Sequence, residues 1–180
     1  MKTLNFKHFL MLSFFLLCAT MTVDAGTRND IMLAEARLAQ SVDPKQVVCL
    51  ATAIYYEAGR EPFNGQAAVA RVVMNRVNHG FASNPCKVVY QVTTRDERKL
   101  CQFSWVCEGK TKPSENNPTY RHALNIAYNV LAFDAYKEVV PKSTLFFHNL
   151  SVDPMWPYHK VKQIGNHIFY SKKKPPEAKK

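Results

Sequence analysis

The central part of the chain carries two apolar stripes with the period of an α-helix. Apolar side chains recur at intervals of three and four positions over residues 44–58 and again over residues 64–77. Asp43 followed by Pro44 is typical of a helix start, and Gly59 is typical of a helix end. Because only a short turn separates the stripes, the pattern predicts two helices that pack as direct neighbours.

The rest of the chain predicts two more helices and two strands. The helical period returns over residues 29–40 and over residues 119–133. After Gly80 the period is lost, and we expect loops and short strands held by cysteines. Residues 144–148 and 163–170 are rich in aromatic and β-branched side chains, which favours two strands on either side of a proline-containing loop.

Residues 1–25 have the pattern of a signal peptide. A short basic start precedes an apolar run from Phe9 to Cys18, and small residues near Ala25 supply a cleavage site. A retained membrane anchor is the weaker interpretation, because the apolar run is short for a bilayer. We therefore expect an exported protein that acts in the periplasm, the cell envelope or the extracellular space.

The composition is that of one globular domain with a strong positive charge. Of the 180 residues, 47% are hydrophobic, and the formal net charge is +10. We predict one domain over residues 26–170 and a disordered, lysine-rich tail over residues 171–180. In an exported protein this charge favours contact with an anionic wall or membrane surface over nucleic acid, and it is equally consistent with a role in solubility alone.

Four cysteines follow the predicted cleavage site: Cys49, Cys86, Cys101 and Cys107. An even number of cysteines in an exported chain predicts two disulfides, and three pairings are open. The spacing from Cys101 to Cys107 is unlike a zinc knuckle, and no histidine pair has the spacing of helical metal ligands. We predict neither a metal site nor a cofactor.

Glu57 is an acid at the border of the first apolar stripe. It lies three positions after Ile54 and seven after Leu50, next to the face that the pattern buries. Partial desolvation would raise the pKa of the carboxyl and keep it protonated near neutral pH, as a general acid requires. On periodicity alone, the more common arrangement is an ion pair with an arginine of the turn or the next helix: Arg60, Arg71 or Arg76.

The sequence marks no second carboxylate beside Glu57. Glu61 follows the predicted helix end, and we interpret it as a turn or capping residue. Hydrolysis of a glycosidic bond usually requires two carboxyl groups. One acid suffices where the C6 hydroxyl of muramic acid attacks C1 and closes a 1,6-anhydro ring. For a glycan substrate, a single glutamate therefore fits a lytic transglycosylase better than a two-acid hydrolase.

Four sequence blocks follow one another over about residues 46–170: AIYYEAGREPFNGQAAVARVVMNRV, NPCKVVYQ, CQFSWVCEG and IGNHIFY. In this order they resemble the SleB/CwlJ-type cell wall hydrolases, the family first associated with spore cortex lysis. The resemblance implies a lysozyme-like or lytic transglycosylase-like domain, mainly helical α+β with a small β element. It also implies cleavage of the MurNAc–GlcNAc bond in peptidoglycan glycan strands, with Glu57 of the YYEA motif as the catalytic acid.

The same blocks contain amide, hydroxyl and aromatic groups that suit a glycan-binding groove. The predicted substrate-binding residues are Tyr56, Gln102, Phe103, Ser104, Trp105, His148, Asn149 and His167. Phe103 and Trp105 could equally be core residues beside a disulfide, and lone histidines are more often structural.

Two alternatives remain for the function. One is a muramidase that uses water, with an acid such as Asp153 as the second carboxylate. The other is a module that binds peptidoglycan without cutting it. No wall-binding repeat precedes the blocks, four cysteines occur within the predicted domain, and the tail is basic. These differences from the spore enzymes favour ordinary peptidoglycan over spore cortex as the substrate.

Overall fold

The computed structural model describes residues 25–173. These residues belong to two compact units, one up to Ala36 and one from Arg37 onwards. The predicted signal peptide, apart from Ala25, and residues 174–180 of the predicted tail lie outside the described range. The boundaries predicted for the domain and for both end segments therefore stay predictions.

Helices predominate, and the strands form two small antiparallel sheets. In chain order, the helices are α1 (Ala25–Ser41), α2 (Pro44–Ala58), α3 (Phe63–Asn78), α4 (Pro85–Val89), α5 (Ser104–Cys107) and α6 (Pro118–Phe133). The strands are β1 (Val92–Arg95), β2 (Arg98–Cys101), β3 (Thr144–Asn149), β4 (His159–Ile164) and β5 (His167–Ser171). The mainly helical α+β architecture is confirmed. None of the helices described within residues 25–173 is long and apolar enough to cross a bilayer.

Helix α2 is at the centre of the hydrophobic core, where it packs against α3, α4 and α6. Leu50 of α2, Val72 of α3 and Ile126 of α6 are fully buried in the same cluster. The side chain of Asp43 caps α2 by accepting a hydrogen bond from Lys45 N at 2.9 Å. The predicted pair of neighbouring helices is confirmed.

Helix α3 is joined to the larger sheet through side chains that bond to the backbone of β3 and the residues before it. Asn75 Nδ2 donates to the carbonyl oxygens of Pro141 and Thr144, each at 3.0 Å. Arg76 Nε donates to the carbonyl oxygen of Leu145 at 2.8 Å. The sheet has the strand order β3-β5-β4, with antiparallel pairing throughout. These bonds hold its first strand against the helical core.

Two regions differ from the sequence expectation. Residues 163–170, predicted as one strand, contain a turn at Gly165 and Asn166 that divides them into β4 and β5. The middle of the chain contains the expected short strands, but also the helices α4 and α5, which are too short to show a hydrophobic period. Ser171, assigned to the tail by sequence, is the last residue of β5.

The four cysteines form two disulfides, as predicted. Cys49 of α2 is bonded to Cys86 of α4, and Cys101 at the end of β2 is bonded to Cys107 at the end of α5. The structure thus selects one of the three pairings that the sequence left open. The first bridge joins distant parts of the core, whereas the second holds a short local segment.

Replacement of Cys49 and Cys86 by serine should lower the free energy of unfolding by about 3 to 4 kcal/mol. The bridged residues are 37 positions apart, and reduction frees that loop in the unfolded chain. Cys101→Ser/Cys107→Ser is the matched control, because its bridge spans 6 positions and should contribute about 2 kcal/mol. Urea denaturation measures both. A loss in the first variant no larger than in the second would contradict the loop-closure argument.

Candidate active site

A cleft of about 640 Å³ lies where the end of α2, the start of α6 and the end of β3 approach one another. Its lining is mainly polar and aromatic, and consists of Tyr55, Tyr56, Glu57, Gly59, Arg60, Glu61, Thr119 and Asn149. The cleft therefore contains the predicted catalytic acid and one further carboxylate, Glu61.

Glu57 is the penultimate residue of α2 and is partly buried. Burial raises the pKa of its carboxyl from 4.5 to about 7. The indole N–H of Trp105 and the charge of Arg76 lower this pKa by smaller amounts, and the charge of Glu108 raises it slightly. A carboxyl with this pKa is present in both protonation states at neutral pH, so it can donate a proton and later accept one.

Trp105 supports the Glu57 carboxyl from within the core. Its ring is 3% exposed and stacks on Tyr56 at 4.9 Å between ring centroids. The indole N–H lowers the pKa of Glu57, although Nε1 has no hydrogen-bond partner of standard geometry among the described residues. The approach of Nε1 to the carboxyl is therefore longer or less linear than a full hydrogen bond. The disulfide from Cys107 fixes the short helix that carries Trp105.

The ion pair considered for Glu57 does not form directly with any of the three candidate arginines. Arg71 instead pairs with Asp134 at 2.6 Å, and Arg60 is exposed. Arg76 acts on Glu57 through its charge, without a direct ion pair between them in the described part of the chain. Glu57 is thus a partly desolvated acid that has a cation nearby but forms no direct salt bridge with it.

Arg76 keeps its charge while buried. Its Nε donates to the Leu145 carbonyl, and its guanidinium carbon lies 5.6 Å from the centroid of the Phe103 ring. Burial lowers the pKa of Arg76 to about 10, against the opposing influence of the Glu57 carboxylate. The side chain therefore remains a cation at neutral pH and limits the rise in the pKa of Glu57.

The structure brings two of the predicted substrate-binding residues to the cleft, Tyr56 and Asn149. The hydroxyl of Tyr56 donates to the carbonyl oxygen of Thr111 at 2.7 Å. Phe103 and Trp105 lie beneath the site, at 4% and 3% exposure, because their rings stack on each other inside the hydrophobic core. Both rings thus lie in the core, which is one of the two positions that the sequence allowed for them.

The other four predicted binding residues are not among the residues described as lining the cleft. Gln102 and Ser104 lie at the junction of β2 and α5. His148 is bound through Nε2 to the hydroxyl of Tyr170 at 2.9 Å. His167 is buried, and burial lowers its pKa despite the opposing charge of Glu61. His148 is thus held by a hydrogen bond, whereas the ring of His167 packs against Phe147 and Phe169, and its Nδ1 has no hydrogen-bond partner among the described residues.

The sequence analysis did not assign five of the lining residues to the site: Tyr55, Gly59, Arg60, Glu61 and Thr119. Arg60 and Glu61 belong to the block that contains Glu57, so their proximity along the chain was the available signal. Thr119 had no such signal, because it reaches the cleft only through the packing of α6 on α2. Within residues 25–173, no cluster of three or more histidine, cysteine or acidic side chains is arranged to hold a metal ion.

Comparison with known proteins identifies one family and a related fold. The family model described as Cell Wall Hydrolase matches residues 60–170. The chain is similar in fold to the catalytic domain of the Bacillus cereus SleB protein, with a TM-score of 0.52, 24% identity, and coverage of 73% of this chain and 93% of that one. It is also similar to the catalytic domain of the germination-specific lytic transglycosylase SleB from Bacillus anthracis, with a TM-score of 0.54, 25% identity, and coverage of 73% and 98%.

Two curated relatives are named spore cortex-lytic enzymes. The protein of Bacillus subtilis (strain 168) is 32% identical over 124 residues, which cover 67% of this chain and 35% of the relative. The protein of Oceanobacillus iheyensis is 27% identical over 135 residues, which cover 72% and 43%. The match thus spans less than half the length of either relative.

Glu57→Gln should increase the free energy of unfolding at pH 8 by about 2 kcal/mol, discounted for the exposed part of the side chain. The raised pKa means that ionisation disfavours the folded state. The contribution of protonated Glu57 to stability is complete below pH 4.5 and is lost as the pH rises through about 7. Denaturation of both proteins at pH 4.5 and pH 8 measures the difference, and an equal effect at both pH values would contradict it.

Proposed function

The chain belongs to the cell wall hydrolase family, and we propose that it cleaves peptidoglycan glycan strands at the MurNAc–GlcNAc bond, with Glu57 as the general acid. The observation that carries this proposal is a partly buried carboxyl, with a pKa raised to about 7, on the wall of a cleft. Such a group combines access to a ligand with the protonation state that the reaction requires.

The proposed reaction uses one carboxyl group twice. Protonated Glu57 donates its proton to the glycosidic oxygen while the bond from C1 of the muramic acid to that oxygen breaks. The C6 hydroxyl of the same sugar attacks C1, and its proton passes to the Glu57 carboxylate. The products are a free GlcNAc hydroxyl and a 1,6-anhydromuramic end, and Glu57 regains its starting protonation state. No water and no cofactor are consumed.

The surroundings of the other carboxylates favour this mechanism over hydrolysis by water. Asp153, considered as a second acid, is exposed, and its carboxylate accepts a hydrogen bond from Met155 N. It is not among the residues that line the cleft. Glu61 lines the cleft, but both of its carboxylate oxygens accept hydrogen bonds from Asn166. A muramidase that uses Glu61 as its second carboxylate is therefore the second candidate function.

We propose that Tyr56 and Asn149 contact the glycan, because both line the cleft beside Glu57. We assign Trp105 the role of supporting the Glu57 carboxyl from the core, where it stacks on Tyr56. We propose no substrate contact for the other five predicted residues, because they are not among the described residues that line the cleft: Gln102, Phe103, Ser104, His148 and His167.

We further propose that the protein is exported and acts on ordinary peptidoglycan in the periplasm or cell envelope. The predicted signal peptide and the two disulfides support an oxidising compartment outside the cytoplasm. A formal net charge of +10 suits an anionic wall or membrane surface. The curated relatives are named for the spore cortex, but the match covers less than half of each.

Glu57→Gln should reduce the release of muropeptides from purified peptidoglycan by on the order of 10² to 10⁴. The glutamine keeps the shape of the side chain but cannot donate a carboxyl proton. Mass spectrometry of the products should find 1,6-anhydromuramic ends from the wild type. Glu138→Gln, an exposed glutamate outside the cleft, is the control. Reducing muramic ends would favour the muramidase, and no release by the wild type from several wall types would favour a binding module.

The rate should fall as the pH rises through about 7, because Glu57 must be protonated to act as an acid. Trp105→Phe should move this fall to higher pH, since it removes an N–H that lowers the pKa of Glu57. The measurement is the initial rate between pH 5 and pH 9 for both proteins. A fall at the same pH in the variant would mean that Trp105 does not act on the titrating group.

A further inference from the structure

We propose that Glu61 is a positioning residue whose carboxylate latches the β4–β5 turn to the end of α2 and so sets the width of the cleft. This inference rests on the proposed function for its effect on the reaction, but the latch itself is a feature of the free protein. It also assigns the second carboxylate of the cleft a role other than catalysis.

The latch consists of two hydrogen bonds from one residue. Asn166 donates its backbone N–H to Glu61 Oε2 at 2.8 Å and its side-chain Nδ2 to Glu61 Oε1 at 3.2 Å. The two residues are 105 positions apart in the chain. Hydrogen bonds to an ionised acceptor are stronger than bonds between neutral groups. The carboxylate thus joins the turn after α2 to the turn between β4 and β5.

Two glycines leave room for the Glu61 side chain. A Cβ atom on Gly165 would lie 2.0 Å from Glu61 Oε2 and 2.9 Å from Pro62 Cδ, and Gly165 has a φ of +56°. A Cβ atom on Gly65 would lie 3.0 Å from the Cβ of Glu61. The backbone carbonyl of Glu61 accepts a further bond from Gln66 Nε2 at 3.0 Å. The side chain is therefore packed on both sides, and the residue accepts hydrogen bonds through both its carboxylate and its backbone carbonyl.

The latch continues into the wall of the cleft. The carbonyl oxygen of Asn166 accepts a hydrogen bond from Leu150 N at 2.8 Å. Asn149, which lines the cleft, is paired with His167 at the adjoining end of β3 and β5. Movement of Asn166 would therefore shift Asn149 away from its position in the cleft that also contains Glu57. The expected consequence is poorer glycan binding, with the acid itself intact.

The alternative role for Glu61, a second catalytic carboxylate, requires an oxygen free to take a proton from water. Asn166 already occupies one acceptor site of each oxygen, and the backbone of Gly165 lies close to Oε2. The two roles differ in what a change of charge does. A latch needs a donor opposite an acceptor, whichever residue carries the charge, whereas a catalytic base must be a carboxylate at position 61.

The test exchanges the amide and the carboxylate. Glu61→Gln replaces the charged acceptor with a neutral amide, so that both bonds of the latch join neutral groups and should be weaker. In Glu61→Gln/Asn166→Asp, the new amide donates to the new carboxylate, and the backbone N–H of position 166 still has an oxygen to bind. The formal net charge of the double variant equals that of the wild type. Glu138→Gln is the control for loss of one exposed negative charge.

The first readout needs no substrate: hydrogen exchange of the backbone amide at position 166, followed by NMR. The amide should be protected in the wild type, exchange on the order of tenfold faster in Glu61→Gln, and be protected again in the double variant. An unprotected amide in the wild type would overturn the latch. This readout keeps its meaning even if the protein releases no muropeptides, so failure of the latch and failure of the proposed function are distinguishable.

The second readout is steady-state kinetics on soluble peptidoglycan fragments. Glu61→Gln should raise KM on the order of tenfold with a kcat within threefold of the wild type, and the exchange of groups should restore KM. The pH at which the rate falls should be unchanged, because Glu57 is intact. A kcat reduced by on the order of 10² or more in both variants would instead identify Glu61 as a catalytic carboxylate and overturn the positioning role.

Discussion

Helix α2 is packed between α3, α4 and α6, and this packing carries the Glu57 carboxyl partly out of water at the last turn of the helix. The loss of hydration is the largest influence on its pKa, which rises from 4.5 to about 7. The C-terminal end of a helix dipole acts in the same direction, because it disfavours a negative charge. The core around α2 therefore serves stability and, in the proposed reaction, determines the protonation state of the acid.

Two glutamates line the cleft, Glu57 and Glu61. They are four positions apart in the chain, but their surroundings differ. Glu57 has the indole of Trp105 and a more distant arginine nearby, and no direct ion pair among the described residues. Glu61 accepts two hydrogen bonds from Asn166. Burial favours the neutral form of the Glu57 carboxyl, which can therefore donate a proton, whereas the oxygens of Glu61 serve as hydrogen-bond acceptors. The two groups are thus suited to different tasks, one to proton transfer and one to holding the wall of the cleft.

Local patterns in the sequence predicted the features that depend on local physics. Asp43 and Pro44 marked the start of α2, and the phase of the helix marked Glu57 as a border residue. Helix α4 was not predicted, because so few residues cannot show a hydrophobic period. Asn84 and Pro85 nevertheless have the pattern of a helix start. The division of residues 163–170 at Gly165 was missed because the flanking residues have strand-like composition on both sides.

The features that escaped prediction in the site depend on contacts between distant parts of the chain. Phe103 and Trp105 were equally compatible with a groove and with a core, and only the packing of the segment after β2 against α2 decides between them. The bonds from Asn166 to Glu61 cross 105 positions, and no local pattern marks such a pair. The lining contributed by Thr119 arises in the same way, from the contact between α2 and α6.

The role of Glu57 as the general acid is tested most directly by a carbon-detected NMR titration of its side-chain carboxyl in the full chain, with Glu57→Gln used to assign the resonance. The carboxyl should titrate with a pKa of about 7. A midpoint near the ordinary value of 4.5 would mean that Glu57 is ionised at neutral pH, and would contradict its role as the general acid.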